Sequence, residues 1–222
     1  MKIIEKYNDK LSGVYDQASK KDWKAPEEFL KIIKKHIIPK LAVLDLGVGT
    51  GQIIEPFVKK DCKVYGIDIS AKMLEKVKRK YKNLNVTKLD LEKNWSRLNK
   101  HKFDIISAIG VLEFVSNLQR IVRKVRKILN PQGKFCFTIE EYIKSHKVQK
   151  FKVSEIGRTD QKGKIPFILQ AKVYRYTQKE VMDILSSNRF SIISKKRFIA
   201  YHRKNSIPVS YLIFLTELRN EK

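Results

Sequence analysis

The chain has 222 residues, 42% of them hydrophobic and 10% aromatic, enough for one α/β domain with a real core and too short for two ordinary domains. That composition excludes wholesale disorder, although the formal net charge is +25. Such a charge suits a phosphate-rich partner, an anionic membrane surface or an acidic carrier protein, or else reflects a lysine bias spread over the whole length.

The first residues, MKIIEKYNDK, reach Glu5 before any signal-peptide core forms. No apolar run approaches the ~20 residues of a membrane span, so a cytoplasmic protein is expected. Pro26 opens an amphipathic helix carrying Phe29, Ile32, Ile33 and Ile37, which ends before Pro39. LAVLDL is a first buried strand, and Ile53, Ile54, Phe57 and Val58 then follow at helical spacing. CKVYGIDI is a second strand, after which Ser70 caps a helix with Met73, Leu74 and Val77 inward. NVTKLDL and FDIISAIG read as the third and fourth strands, separated by a polar stretch.

Beyond Ser116, Leu118, Ile121, Val122, Val125, Ile128 and Leu129 mark a helix with a basic outer face. It stops at NPQG, and KFCFTIE is the fifth strand. The stretch from Tyr142 to Lys172, with Gly157, Gly163 and Pro166, reads as an insertion. Thr177 and Glu180 form a capping box opening a helix with Val181, Ile184 and Leu185 inside. FSIISKKRFIAY and PVSYLIFLTEL follow as an antiparallel strand pair. Strands alternating with helices give a doubly wound, mostly parallel sheet whose last strand is antiparallel.

Chemistry concentrates after the first strand, in VLDLGVGTGQ. Gly47, Gly49 and Gly51 at a strand-to-helix turn let a ligand approach the main chain at the point where strand order reverses. Gln52 stands where a dinucleotide fingerprint needs its third glycine, and no Gly-Lys-Ser or Gly-Lys-Thr follows, which excludes a Walker loop. Cys62 and Cys136 lie in apolar runs and are expected as buried thiols. His36, His101, His146 and His202 show no ligand spacing, so no metal site is expected. No hydrolase nucleophile elbow is present.

Asp45 to Gly51, D-x-G-x-G-x-G, resembles the first motif of class I S-adenosylmethionine-dependent methyltransferases. SAIGVLEFV, Ser107 to Val115, is similar to the segment closing over the cofactor in that family, and ILNPQGKFCFTIEE to its L-x-P-G-G turn and fifth strand, with Gln132 replacing the first glycine. YNDKLSGVYDQASKKDWKAPEEFL and the tail from YRYTQKEV to PVSYLIFLTEL resemble the ends of small bacterial methyltransferases of the predicted TPR and Williams-Beuren-region groups (type 11/25 domain).

The resemblance implies a Rossmann-like, seven-stranded domain over residues 1–222, divided into an N-terminal flap and helix (1–38), a cofactor-binding half (39–141), a substrate-side insertion (142–173) and a C-terminal helix and strand pair (174–222). It implies S-adenosyl-L-methionine as cofactor. Asp68 with Ile69 would bind the ribose, Asp90 with Leu91 the adenine, and Asp45, Gly47, Gly49, Gly51 and Ile109 the remainder. Gly110 and Val111 would lie along the cofactor. Tyr15, with Tyr7 and Trp23, would form a flap or anchor the first helix, and Asp45 would meet the amino-acid moiety through water or fix the loop.

Methyl transfer seldom needs a dedicated base, since positioning and exclusion of water do most of the work. Glu113, Glu140 and Glu141 are the candidates for orienting the acceptor, against a reading as solvated or capping carboxylates. The expected reaction is in-line methyl transfer to a small molecule, anionic if the basic charge is functional, by a monomer or homodimer that does not enter the membrane. The alternatives are a tRNA methyltransferase using the basic surface and an inactive methyltransferase-fold binding protein.

Overall fold

In the computed structural model, residues 3–13, 16, 22–157 and 170–219 are described. Five strands, β1 (Ala42–Leu46), β2 (Lys63–Asp68), β3 (Asn85–Lys88), β4 (Phe103–Ala108) and β5 (Leu129–Glu140), run parallel. The C-terminal strands β8 (Phe190–Arg203) and β9 (Ile207–Leu218) complete a seven-stranded sheet of order β3-β2-β1-β4-β5-β9-β8. β9 is antiparallel to both β5 and β8, so the last strand is the reversed one, as its hairpin-length connection to β8 requires. β6 (Val153–Gly157) and β7 (Gln170–Tyr174) pair antiparallel in a separate ribbon inside the expected insertion.

Strand residues alternate between the two faces. Leu44, Leu46, Ile106, Phe135 and Phe137 face one core. α5 (Leu118–Ile128) and α6 (Gln178–Ser187) cover that core. The Phe135 and Phe137 rings stack at 4.6 Å, and Phe137 stacks on Phe214 at 5.4 Å. Val43, Ile105, Cys136, Tyr211 and Ile213 face the opposite core. That side is covered by α2 (Ala25–Ile33), α3 (Glu55–Val58) and α4 (Ala71–Lys80). α5 buries Leu118, Ile121, Val122, Val125 and Ile128 on one stripe, each such side chain contributing about 1.5–3 kcal/mol. Its cap is Asn117, whose side chain accepts the Arg120 N–H at 2.9 Å.

The helix expected from Ile53 shrinks to four residues. Pro56 lacks an N–H, so a helix starts beside it and cannot pass through, and the residues before it form turns. β5 starts five residues early, because LNPQG is a bulged extension of the strand with Gln132 at φ +60°. Cys136 is buried, whereas Cys62 precedes β2 and is half-buried, with Sγ 3.4 Å from the Ile38 carbonyl. α1 (Ile3–Leu11) lies against α4. Among the described residues no helix is long and apolar enough to cross a membrane.

Candidate active site

β1 lies between β2 and β4, so the loop after β1 sits where an open α/β sheet leaves a crevice beyond its strand ends. The N–H groups of Gly47 and Val48 both donate to the Ile67 carbonyl, at 2.8 and 2.9 Å, folding the loop over the end of β2. Gly47, Gly49 and Gly51 have φ of +76°, +51° and +78°, where an L side chain is strained. A Cβ on Gly47 would stand 2.5 Å from Val111, and one on Gly51 2.7 Å from Val77, so close packing fixes both positions. Gly49 differs, because a Cβ there would have nothing nearer than the Gly47 carbonyl at 3.9 Å. Its open side faces a hollow.

Two hollows meet at Gly47. One, of about 320 Å³, is lined by Trp23, Asp45, Gly49, Thr50, Gln52 and Ile109. The other, of about 560 Å³, is an apolar slot between Ile69, Leu89, Leu91, Val111 and Phe114, with Asp68 and Asp90 among its walls. α1 contributes Ile4 and Asn8 to this second hollow. That helix is fastened beside it: Ser70 Oγ donates to Asp9 at 2.5 Å, Lys88 pairs with Glu5 at 2.5 Å, and Lys76 reaches the Ser12 carbonyl.

Three carboxylates ring the glycine loop. Asp68 Oδ2 accepts the Gly49 N–H at 2.9 Å and Oδ1 accepts the Ser70 N–H at 2.8 Å, yet burial still raises its pKa. Asp45, 3% exposed, accepts the Ser107 hydroxyl at 2.7 Å, and burial pushes it up to about 7. Asp90, two residues past the end of β3, accepts the Glu92 N–H at 2.9 Å in an Asx turn. The arrangement suits an extended ligand with a cationic end near Asp45, hydroxyl or amino donors for Asp68 and Asp90, and a flat apolar ring in the slot.

A second polar group lies behind Trp23. The Trp23 indole lines the smaller hollow and packs edge-on to Tyr211 at 5.4 Å. A side chain at Gly110, φ +71°, would meet that indole at 2.6 Å. Tyr211 donates to Glu113 Oε1 at 2.9 Å. Glu140 accepts from Arg175 Nε at 2.6 Å, and both are fully buried. Glu141 is held by Arg197 through Nε at 2.6 Å and Nη2 at 2.5 Å. All three glutamates are thus buried, at 4%, 1% and 3% exposure, which corrects their alternative reading as solvated groups.

Of the residues picked from sequence, Asp45, Gly47, Gly49, Asp68, Ile69, Asp90, Leu91 and Ile109 line the paired hollows. Gly51 does not; it is a packing position of the loop. Tyr15 lies outside the described residues, as does the Tyr7 side chain. Sequence reasoning missed Ser107, Tyr211 and Arg175. Ser107 had a signal, since it stands on β4 directly beside Asp45 in the pairing of the two strands. Among the described residues no group of three or more His, Cys, Asp or Glu is placed to hold a metal ion.

Residues 44–137 match a family model described as "Methyltransferase domain". An uncharacterised protein of Methanocaldococcus jannaschii is 29% identical over 207 residues, covering 86% of this chain and 77% of its own length. The ubiquinone biosynthesis O-methyltransferase of Coxiella burnetii is 31% identical over 123 residues, covering 53% of this chain and 52% of that enzyme, so the match spans about half of each. Among solved structures, an S-adenosylmethionine-dependent methyltransferase from Clostridium acetobutylicum superposes with a TM-score of 0.68 at 19% identity, covering 96% of this chain and 99% of that one. The 1,6-didemethyltoxoflavin-N1-methyltransferase of Burkholderia thailandensis gives 0.67 at 14% identity, covering 98% and 88%. The structural likenesses speak for the fold.

Proposed function

We propose, from the premise that the chain carries a methyltransferase domain in the class I S-adenosylmethionine-dependent fold, that it methylates a small-molecule acceptor. The carrying observation is Gly49: a residue in the left-handed region whose missing side chain opens onto a hollow flanked by Asp45 and continued by a slot containing Asp68 and Asp90.

These residues fit S-adenosylmethionine. Asp68 and Ile69 would hold the ribose, Asp90 and Leu91 the adenine, and Asp45, Gly47, Gly49 and Ile109 the methionyl end. When bound, the cofactor supplies an electrophilic methyl on a sulfonium, open to in-line displacement. The chain's own part is to orient the acceptor and to keep water out, which Trp23 and α1 serve by covering the two hollows. Two of the proteins above are named for ubiquinone biosynthesis and for 1,6-didemethyltoxoflavin, which supports a small-molecule acceptor. The excess of Lys and Arg supports an anionic one.

Isothermal titration with S-adenosylmethionine and S-adenosylhomocysteine tests the donor site, and both should bind. Transfer of a tritiated methyl group into the small-molecule fraction of a cell extract tests the acceptor class. Failure of both nucleosides to bind at high micromolar concentration would sink the reading. The +25 charge favours tRNA as second acceptor class, and label entering tRNA, with binding that weakens steeply in salt, would replace the small-molecule acceptor.

A further inference from the structure

Three buried glutamates stand near the ends of β4 and β5, and their partners differ, although the Tyr211 hydroxyl lies 2.9 Å from Glu113 Oε1 and 3.5 Å from Glu140 Oε2. Glu140 is tied to Arg175, with Arg203 Nη2 4.0 Å away. Glu141 is gripped by Arg197 and also accepts from Ser210 Oγ at 3.1 Å. Both are thus gripped by a guanidinium group. Glu113 has no such partner. Its Oε1 accepts from Tyr211, while its Oε2, buried, has no hydrogen-bond partner at all. A buried polar atom left unpaired is costly, and a fold tolerates it where the atom has a task.

Position adds to this. Glu113 belongs to the turn Leu112–Phe114, whose neighbours Val111, Phe114 and Val115 wall the larger hollow. Tyr211, its partner, touches the Trp23 indole that lines the smaller hollow. Arg175, in the same buried cluster, also keeps one unpaired atom, Nη2, although its Nη1 donates to the Phe151 carbonyl and to Ser154 Oγ. Glu113 Oε2 and Arg175 Nη2 are thus one unpaired acceptor and one unpaired donor within the same buried group of side chains.

We propose that Glu113 Oε2 takes the proton from a nucleophilic O–H or N–H of the methyl acceptor, with Tyr211 as the positioning residue. The inference rests on the methyltransferase reading above and names the chemistry of its acceptor: an acidic hydroxyl or N–H, such as a phenol, an enol or a heteroaromatic N–H. As the proton moves to Glu113, the freed electron pair of the acceptor forms the new bond to the methyl carbon. The C–S pair stays on sulfur, which becomes a neutral thioether, and Glu113 afterwards returns its proton to water.

The surroundings place this base in a useful range. Burial pushes Glu113 up to about 7, helped by the charge of Glu140 on β5 and opposed by its own backbone N–H, the Tyr211 hydrogen bond from β9 and the Arg175 charge beyond β7. Tyr201 on β8 faces the same cluster and is itself pushed up to about 12 by burial. A base must be ionised to act, so methyl transfer should rise with pH through about 7 and level off above it.

The test compares the full chain with Glu113→Gln and Tyr211→Phe, using methyl-tritiated S-adenosylmethionine and the small-molecule fraction of a cell extract as probe. Glu113→Gln should bind S-adenosylhomocysteine as the parent does, and at saturating S-adenosylmethionine it should lose about 100-fold or more in transfer rate together with the rise through neutral pH. Tyr211→Phe should lose about 10-fold and keep a shifted rise. In protein carrying ¹³C-labelled glutamate, the signal absent from Glu113→Gln should titrate near neutral pH. Normal cofactor binding with an unchanged rate profile in Glu113→Gln, no label transfer by the cofactor-bound parent, or a Glu113 signal titrating as an ordinary carboxylate would each overturn the proposal. Loss of cofactor binding by the parent itself would instead bring down the methyltransferase reading.

Discussion

Asp68 Oδ2 accepts the backbone N–H of Gly49 at 2.9 Å, so the carboxylate proposed to hold a ribose also holds the bend of the loop. Its other oxygen accepts from Ser70, which caps α4 and donates in turn to Asp9 on α1. One side chain therefore ties together the loop, the helix after β2 and the helix that covers the slot. Asp68→Ala should raise the dissociation constant for S-adenosylhomocysteine about 10-fold or more, as for losing a charge-assisted bond of about 1.5–3 kcal/mol. Asp68→Asn should also fail, because an amide turns an N–H toward one of two backbone donors. Titration calorimetry on folded variants decides, and unchanged affinity would remove Asp68 from the site.

Gly47 and Gly49 should respond differently to the same substitution. Gly47→Ala drives a methyl into Val111 and should destabilise the fold beyond the strain of its φ. Gly49→Ala meets no atom, so it should cost the fold only the left-handed strain of about 1–2 kcal/mol while abolishing cofactor binding. Thermal unfolding together with calorimetry separates the two, and a Gly49→Ala protein that binds normally would show that the hollow is not used.

Asp45 predicts a pH dependence. Its pKa rises from an ordinary 3.8 to about 7, so much of it is protonated in the free protein below neutrality. A cationic ligand favours the ionised form, so affinity for S-adenosylmethionine should rise up to about tenfold per pH unit below 7 and flatten above it. The sign for folding is opposite: the folded state binds more protons than the unfolded one between the two values, so stability falls as pH rises from about 4 to about 7. Asp45→Asn should flatten both slopes, read by calorimetry and by denaturant unfolding across that range.

Gln132 sits at φ +60°, where the related turn carries glycine. Gln132→Gly should relieve about 1 kcal/mol of strain and raise the melting temperature by about 2–4 °C, with cofactor affinity unchanged. A lower melting temperature would mean that the bulge in β5 is stabilised by the glutamine itself.

The sheet and the glycine loop beside the two hollows were legible because their signals are local. β1, β2 and β4 are short apolar runs with punctuation beside them, α5 repeats apolar residues at helical spacing, and the glycines stand where β1 ends. Boundaries failed where one residue competes with the pattern around it: Pro56 truncates α3, and the LNPQG stretch reads as a turn although it pairs with β4 through Leu129. The buried cluster of Glu113, Glu140 and Glu141 was legible only as three acidic residues. What distinguishes them, Arg175 against Glu140 and Tyr211 against Glu113, spans 35 and 98 residues of sequence and arises when β7 and β9 reach the end of β5. No local spacing encodes such a meeting.

Glu28, Asp45, Asp68, Glu113, Glu140 and Glu141 all point inward, so the fold spends scarce negative charge in its interior and leaves water facing a surface more cationic than +25 suggests. Such a particle adheres to heparin, phosphocellulose or bulk nucleic acid at low ionic strength whatever its catalytic role. Retention on a polyanionic resin therefore reports where its carboxylates are buried, and copurifying RNA is an expected passenger that concentrated salt should strip away.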